Sequence, residues 1–180
     1  MDTAEALSDI VAAATARDLP AVREEVSRLV ADPAKLFAAI PEAEGPLMQP
    51  LHVADDVTVM HVVWGPRMYL GPHDHHMWAC IGIYSGREDS QLYRREGSTI
   101  ESSGGHSLDT GETVMLGETA IHSVHNPLGR LTGAIHVYGG AFLTEPRSEW
   151  AVETMAESPS SGQRVREMFT RHAEAYAAGN

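Results

Sequence analysis

Hydrophobic positions along the chain change their period twice. Between residues 3 and 41 they recur with helical spacing: Leu7, Ile10, Val11 and Ala14 form one run, and Val22, Val26, Leu29 and Val30 form another. Asp18-Leu19-Pro20 interrupts between them, and Asp32-Pro33 starts a short third helix with Leu36, Phe37 and Ile40 before Pro41 closes it. Apolar residues three and four apart share one face of a helix, so the pattern predicts helices laid against one side of a larger body. A free-standing helical interaction module is the alternative, but so short a segment buries too little surface to hold itself together.

From about Leu47 to Phe142 the period shortens to that of strands. Runs rich in β-branched and aromatic residues occupy Thr58 to Trp64, Met77 to Tyr84, Gln91 to Arg95, Thr113 to Leu116, Ala120 to Val124 and Leu131 to Tyr138. Turn signals separate them: Gly65-Pro66, Gly71-Pro72, Ser85-Gly86, Ser103-Gly104-Gly105, Thr110-Gly111, Asn126-Pro127 and Gly139-Gly140. Many short strands at this spacing predict a sandwich or small barrel; the natural candidate is a mainly β cupin jelly roll, a double-stranded β-helix barrel, with N-terminal helices and a C-terminal helix. Alternate residues of such a barrel line its interior. The tail starts in a polar loop, Ser158-Pro159-Ser160-Ser161-Gly162, and continues as an amphipathic helix with Val165, Met168, Phe169 and His172 on one side. The expected organisation is a single cupin domain over residues 1–180: a helical extension at 1–41, the barrel at 47–142 and a C-terminal extension with its helix at 143–180.

Charge narrows the partners. The formal net charge is −12, and Lys35 is the only lysine beside twelve arginines. An acidic chain without a basic cluster argues against nucleic acid or an anionic membrane as partner. The start of the chain has no basic segment followed by an apolar one, and no apolar run approaches the ~20 residues that span a bilayer. A lone cysteine, Cys80, excludes an internal disulfide and suits a reducing compartment. The expected setting is the cytoplasm and the expected ligand a small molecule.

The candidate chemistry lies in Gly71-Pro72-His73-Asp74-His75 and Ile121-His122-Ser123-Val124-His125-Asn126. His73 and His75 are two apart, so on an extended strand both imidazoles project from one face. Neutral imidazoles are good ligands for a divalent transition metal, and His122 on another strand completes a set of three that leaves coordination positions open. With no carboxylate among the ligands, the metal keeps its full charge and favours an anionic co-ligand such as a thiolate. His76 has the opposite parity and should point away; His125 should lie at the barrel mouth or outside. His52, His61, His106 and His172 have no useful partner spacing and read as structural. His136 and Tyr138 form a second two-apart pair on one face, from which a Tyr hydroxyl beside a His can handle a proton near a metal; a buried Tyr whose hydroxyl is satisfied by a neighbour is the alternative.

These residues resemble the cysteine dioxygenase family of thiol dioxygenases, iron(II) cupins that convert a thiol to a sulfinate. The resemblance covers about residues 58–142. Trp64 precedes a His73-Asp74-His75 like the family's His-Asp-His, and Cys80 stands where some members carry a cysteine. Gly86 resembles the turn glycine that follows. His122 and Asn126 fit the family's His-x-x-x-Asn, and His136 and Tyr138 its His-x-Tyr. The resemblance implies Fe(II) on His73, His75 and His122, with Tyr138, His136 and Cys80 as catalytic residues. It also implies a possible thioether between Cys80 and Tyr138, which requires a bend between His76 and Trp78.

The chain departs from the family in three places. Ala134 replaces the serine of the family's Ser-x-His-x-Tyr, and the proline and glycine spacing ahead of His122 differs. The segment Leu51-His52-Val53 lacks the arginine with which cysteine-specific members hold the substrate carboxylate. The expected activity is therefore an iron-dependent thiol dioxygenase acting with O2 on a small organic thiol other than strictly cysteine. Arg67, Arg87, Arg94 and Arg95 are candidate anion ligands, with surface salt bridges as their alternative role. Two other readings use the same barrel: a different three-His cupin enzyme, either a dioxygenase that cleaves a carbon–carbon bond or an isomerase, and a non-catalytic metal-binding sensor.

Overall fold

The computed structural model describes residues 3–179. Helix α1 (Thr3–Thr15) buries Leu7, Ile10 and Ala14, and α2 (Leu19–Ala31) buries Val22, Val26, Leu29 and Val30. Between them Asp18 caps α2 by accepting from the Ala21 N–H at 3.1 Å, and a proline occupies the first turn, where its missing N–H costs nothing. Asp32 and Pro33 open α3 (Pro33–Phe37). The helical boundaries therefore follow the interruptions visible in the sequence.

Among the described residues eleven strands follow: β1 (Leu47–Val53), β2 (Thr58–Trp64), β3 (Tyr69–Asp74), β4 (Ala79–Ser85), β5 (Arg87–Glu96), β6 (Thr99–Asp109), β7 (Thr113–Leu116), β8 (Ile121–His125), β9 (Thr132–Tyr138), β10 (Ser148–Trp150) and β11 (Glu157–Pro159), before helix α4 (Gly162–Gly179). They form two sheets, in the orders β1-β2-β9-β4-β7 and β11-β10-β3-β8-β5-β6. Every pairing is antiparallel. This is the expected mainly β double-stranded β-helix of the cupin type, with helices at both ends of the chain.

Two turn expectations need correction. Ser103-Gly104-Gly105 does not separate strands but lies within β6, where the pairing with β5 slips one residue between Leu92 and Tyr93. Gly104 has φ +143°, so the glycines accommodate a bulge, and the hairpin turns instead at Gly97 (φ +60°). Gly71-Pro72 likewise sits inside β3, at a second bulge.

Two hydrophobic layers meet across the five-stranded sheet. The interior layer takes Met60, Val62 and Trp64 from β2, Ala79, Ile81 and Ile83 from β4, and Ala134 and Tyr138 from β9. The outer layer takes Val59, Cys80, Tyr84, Ile135 and Val137 and packs them against the buried faces of the helices. At Gly82 the sheet lets α2 approach closely: a Cβ there would lie 2.7 Å from Val26 and 2.9 Å from Val30.

Strand alternation thus overturns the assignment of Cys80 to the site. His75, Met77, Ala79 and Ile81 hold one parity, and the bend at His76 (φ 55°) does not change it. Cys80 lies opposite Val137 in the β4–β9 register, whereas Tyr138 lies opposite Ala79. Residues directly opposite share a face, so Cys80 joins the outer layer and Tyr138 the interior. The thiol is fully buried, and desolvation pushes its pKa up to about 12. It is a small protonated core residue on the far side of the sheet from Tyr138, and the proposed thioether has no geometric basis.

Candidate metal centre

The β3 bulge assembles the histidines. Register between β3 and β8 shifts between Leu70 and His73, after which His73 stands directly opposite His122. Bulges re-aim side chains in this way and tolerate proline. The His73 Nδ1 is 2.9 Å from the Gly71 carbonyl, which can only accept, so Nδ1 carries the proton and Nε2 keeps its lone pair. His75 follows just past the end of β3. Ring centroids are 4.6 Å apart for His73 and His122, and 5.1 Å for His75 with either of them.

One potential ligand nitrogen from each of His73, His75 and His122 lies within 4.8 Å of the other two, so the cluster can hold a metal ion. The donor chemistry fits a divalent transition metal. Burial lowers the His73 pKa to about 4 and puts His75 and His122 well below their ordinary value, so all three are neutral ligands at physiological pH. His75 Nδ1 and His122 Nε2 are buried without a hydrogen-bond partner among the described residues. The other nitrogen of His122 lies 3.3 Å from the Ser90 hydroxyl, which orients the ring. His76 is exposed and turns away to Asp74, at 3.0 Å.

The triad opens on a cavity of about 310 Å³, a size typical of small-molecule sites. Tyr138 meets His75 edge-on at 5.1 Å and stacks on Phe142 at 3.8 Å. Its hydroxyl is 3.0 Å from His136 Nδ1, and burial raises its pKa. Trp64, Met168 and Phe169 also line the cavity, with Phe169 of α4 lying 5.2 Å from the Trp64 ring. The C-terminal helix therefore closes one side of the pocket.

Two residues were not singled out in the sequence: Arg147 on the cavity, and Glu88 in the barrel interior behind it. Arg147 lines the cavity with its guanidinium carbon 4.0 Å from the centre of the Phe142 ring, and makes no ion pair among the described residues. Burial lowers its pKa, so an incoming anion would relieve a desolvated charge. No periodicity marks Arg147, which lies in an irregular segment after the barrel. Glu88 reads in sequence as part of the mixed-charge run Arg87-Glu88-Asp89. It is 1% exposed, accepts from Trp64 Nε1 at 2.8 Å, and desolvation raises its pKa to about 7. Alternation along β5 through Ser90 to Leu92, which pairs with His122, was the available signal for its inward direction.

The remaining candidates do not reach the cavity. Arg87 binds Asp89 and Ser107, Arg94 binds Glu101, Arg95 forks onto Glu157, and Arg67 bonds the Pro127 carbonyl. Asn126 is fully buried, donating to the Gly65 and Arg130 carbonyls and accepting from Leu128 N–H and Thr132. It ties the β2–β3 and β8–β9 connections together. His61 bonds Tyr84 at 2.7 Å in the outer layer, His125 meets Tyr69 edge-on, and His172 lies against Gly65.

No family model matches the chain. It is similar in fold to an RmlC-like cupin family protein from Methanocaldococcus jannaschii, at 15% identity and a TM-score of 0.48 over 56% of this chain and 85% of that one. A double-stranded β-helix protein from Klebsiella pneumoniae gives 15% identity and a TM-score of 0.44, covering 56% and 77% of the two chains. An oxalate oxidase bound to glycolate gives 13% and 0.43, covering 56% and 54%. These are likenesses of fold alone. By its facing sheets and strand order the chain has the double-stranded β-helix fold of the cupin type, and it carries a three-His cluster able to hold a metal. Among the described residues no helix is long and apolar enough to cross a membrane.

Proposed function

We propose that the protein is an iron-dependent thiol dioxygenase that converts a small, acid-bearing organic thiol to its sulfinate with O2. The observation that carries this reading is the pairing of three neutral imidazoles with an unpaired guanidinium on one small cavity. His73, His75 and His122 would hold Fe(II). That ion, when bound, supplies positions where a thiolate and dioxygen meet and lowers the barrier to their reaction. Arg147 binds the acid group of the substrate and sets how far the sulfur reaches. Tyr138, whose ring meets His75 and whose hydroxyl bonds His136, serves to hold or move a proton. Phe142, Trp64 and Phe169 exclude water from the cavity, which strengthens the grip of Arg147 on an anion.

Arg147 comes from the segment after β9, not from the early strands where the family resemblance sets its carboxylate ligand. A mercapto-acid of different length from cysteine is therefore the favoured substrate. Anaerobic iron loading followed by oxygen-electrode measurements with cysteine and a panel of mercapto-acids tests the proposal. Oxygen uptake with matching sulfinate formation is expected for at least one mercapto-acid. Absence of uptake with every thiol, in protein that retains iron, would overturn it.

A further inference from the structure

We propose that Glu88 is a positioning residue that fixes the tautomer of His136, and through it the direction of the Tyr138 hydroxyl. Glu88 is a carboxyl enclosed in the barrel interior, where an unpartnered polar group is costly. Its Oε2 takes the Trp64 N–H at 2.8 Å and lies 3.8 Å from His136 Nε2. Glu88 Oε1 and His136 Nε2 are both buried and make no hydrogen bond among the described residues. The residues that pair with His136 across the sheet, Met60 and Ile81, are apolar, and Ala134 on the same strand face has no polar side chain. Glu88 is thus the polar group placed to satisfy Nε2, and a small rotation of either side chain closes the gap.

The chemistry of the partners then sets each proton. An ionised carboxylate can only accept, so His136 carries its hydrogen on Nε2. Nδ1 is left with a lone pair, 3.0 Å from the Tyr138 oxygen, and accepts the phenol O–H. The Tyr138 oxygen consequently faces the cavity as an acceptor. With the tautomer reversed, Tyr138 would receive a hydrogen from His136 and offer its own to the cavity. Glu88, which touches neither the cavity nor the histidine triad in any recorded contact, selects between these two surfaces.

The test uses the full chain without metal or substrate, so its outcome is independent of the proposed activity. Protein labelled with nitrogen-15 in histidine is studied by long-range proton–nitrogen correlation well above pH 7, where Glu88 is ionised. The His136 signals are identified by their loss in His136→Gln. Wild-type protein is expected to show His136 protonated at Nε2, with that proton shifted far downfield by the carboxylate. In the isosteric Glu88→Gln variant the Nε2 proton should persist but move upfield, because a neutral acceptor makes a weaker bond. In Glu88→Leu it should exchange away or give place to an Nδ1 proton. An Nδ1-protonated His136 in the wild type, or an Nε2 proton unmoved in Glu88→Gln, would overturn the assignment.

Discussion

Replacing Arg147 with methionine keeps an unbranched apolar stem over Phe142 and removes only the charged fork. In the native protein the guanidinium is half-buried, lies 4.0 Å from the Phe142 ring centre and has no ion-pair partner among the described residues. A bound carboxylate would therefore gain two charge-assisted hydrogen bonds without breaking an existing pair. Such a contact contributes about 3 kcal/mol, and since ~1.4 kcal/mol is tenfold, Arg147→Met should lower kcat/KM for a mercapto-acid by ~100-fold. The same substitution should change kcat/KM by less than about threefold for an uncharged thiol of equal length, which never used the fork. Loss of the cation–ring contact should reduce folding stability by only about 1 kcal/mol. Steady-state oxygen uptake with both thiols, alongside urea unfolding of both proteins, measures each quantity. Equal losses for the charged and uncharged thiols would refute the assignment of Arg147 to the acid group.

His73→Ala, His75→Ala and His122→Ala should each abolish tight iron binding, whereas His76→Ala, which removes an exposed ring bonded to Asp74, should leave most of it; metal analysis of the four variants decides. Cys80→Ser should destabilise the protein by about 1–3 kcal/mol, by burying an unsatisfied hydroxyl in the outer layer, while metal content and turnover stay unchanged. Finding a Cys80–Tyr138 linked peptide after turnover would contradict that placement. Burial lowers the His61 pKa from 6.5 to about 4, so the unfolded chain takes up the proton first. Its stability contribution is complete above pH 6.5 and declines as pH falls towards 4, by at most about 3 kcal/mol; urea midpoints across that range should fall less steeply in His61→Phe.

Much of the architecture was legible because burial on one side imprints a period. The helical runs through Leu7–Ala14 and Val22–Val30 fall inside α1 and α2, and the strands read at Thr58–Trp64 and Thr113–Leu116 coincide with β2 and β7. Strands β10 and β11, three residues each, are too short to carry a pattern. The β6 strand was hidden because its exposed residues and paired glycines look like a turn until β5 supplies the partner.

The metal cluster divides the same way. His73 and His75 announce themselves by a spacing of two, and His122 by its place on a second strand, because ligand chemistry restricts residue type and alternation restricts direction. The sequence by itself determined those three donors, the shared face of His136 and Tyr138, and the helical cover on one side of the barrel. Only the tertiary structure decided which side of the five-stranded sheet Cys80 faces: a bend at His76 could have reversed the parity counted from His75, and the register of β4 against β9 shows that it does not. It also brought Arg147 over Phe142 and turned Glu88 towards His136. Those two placements join residues far apart in the chain, and a single charged residue leaves no periodic trace of the partner that folding will set beside it.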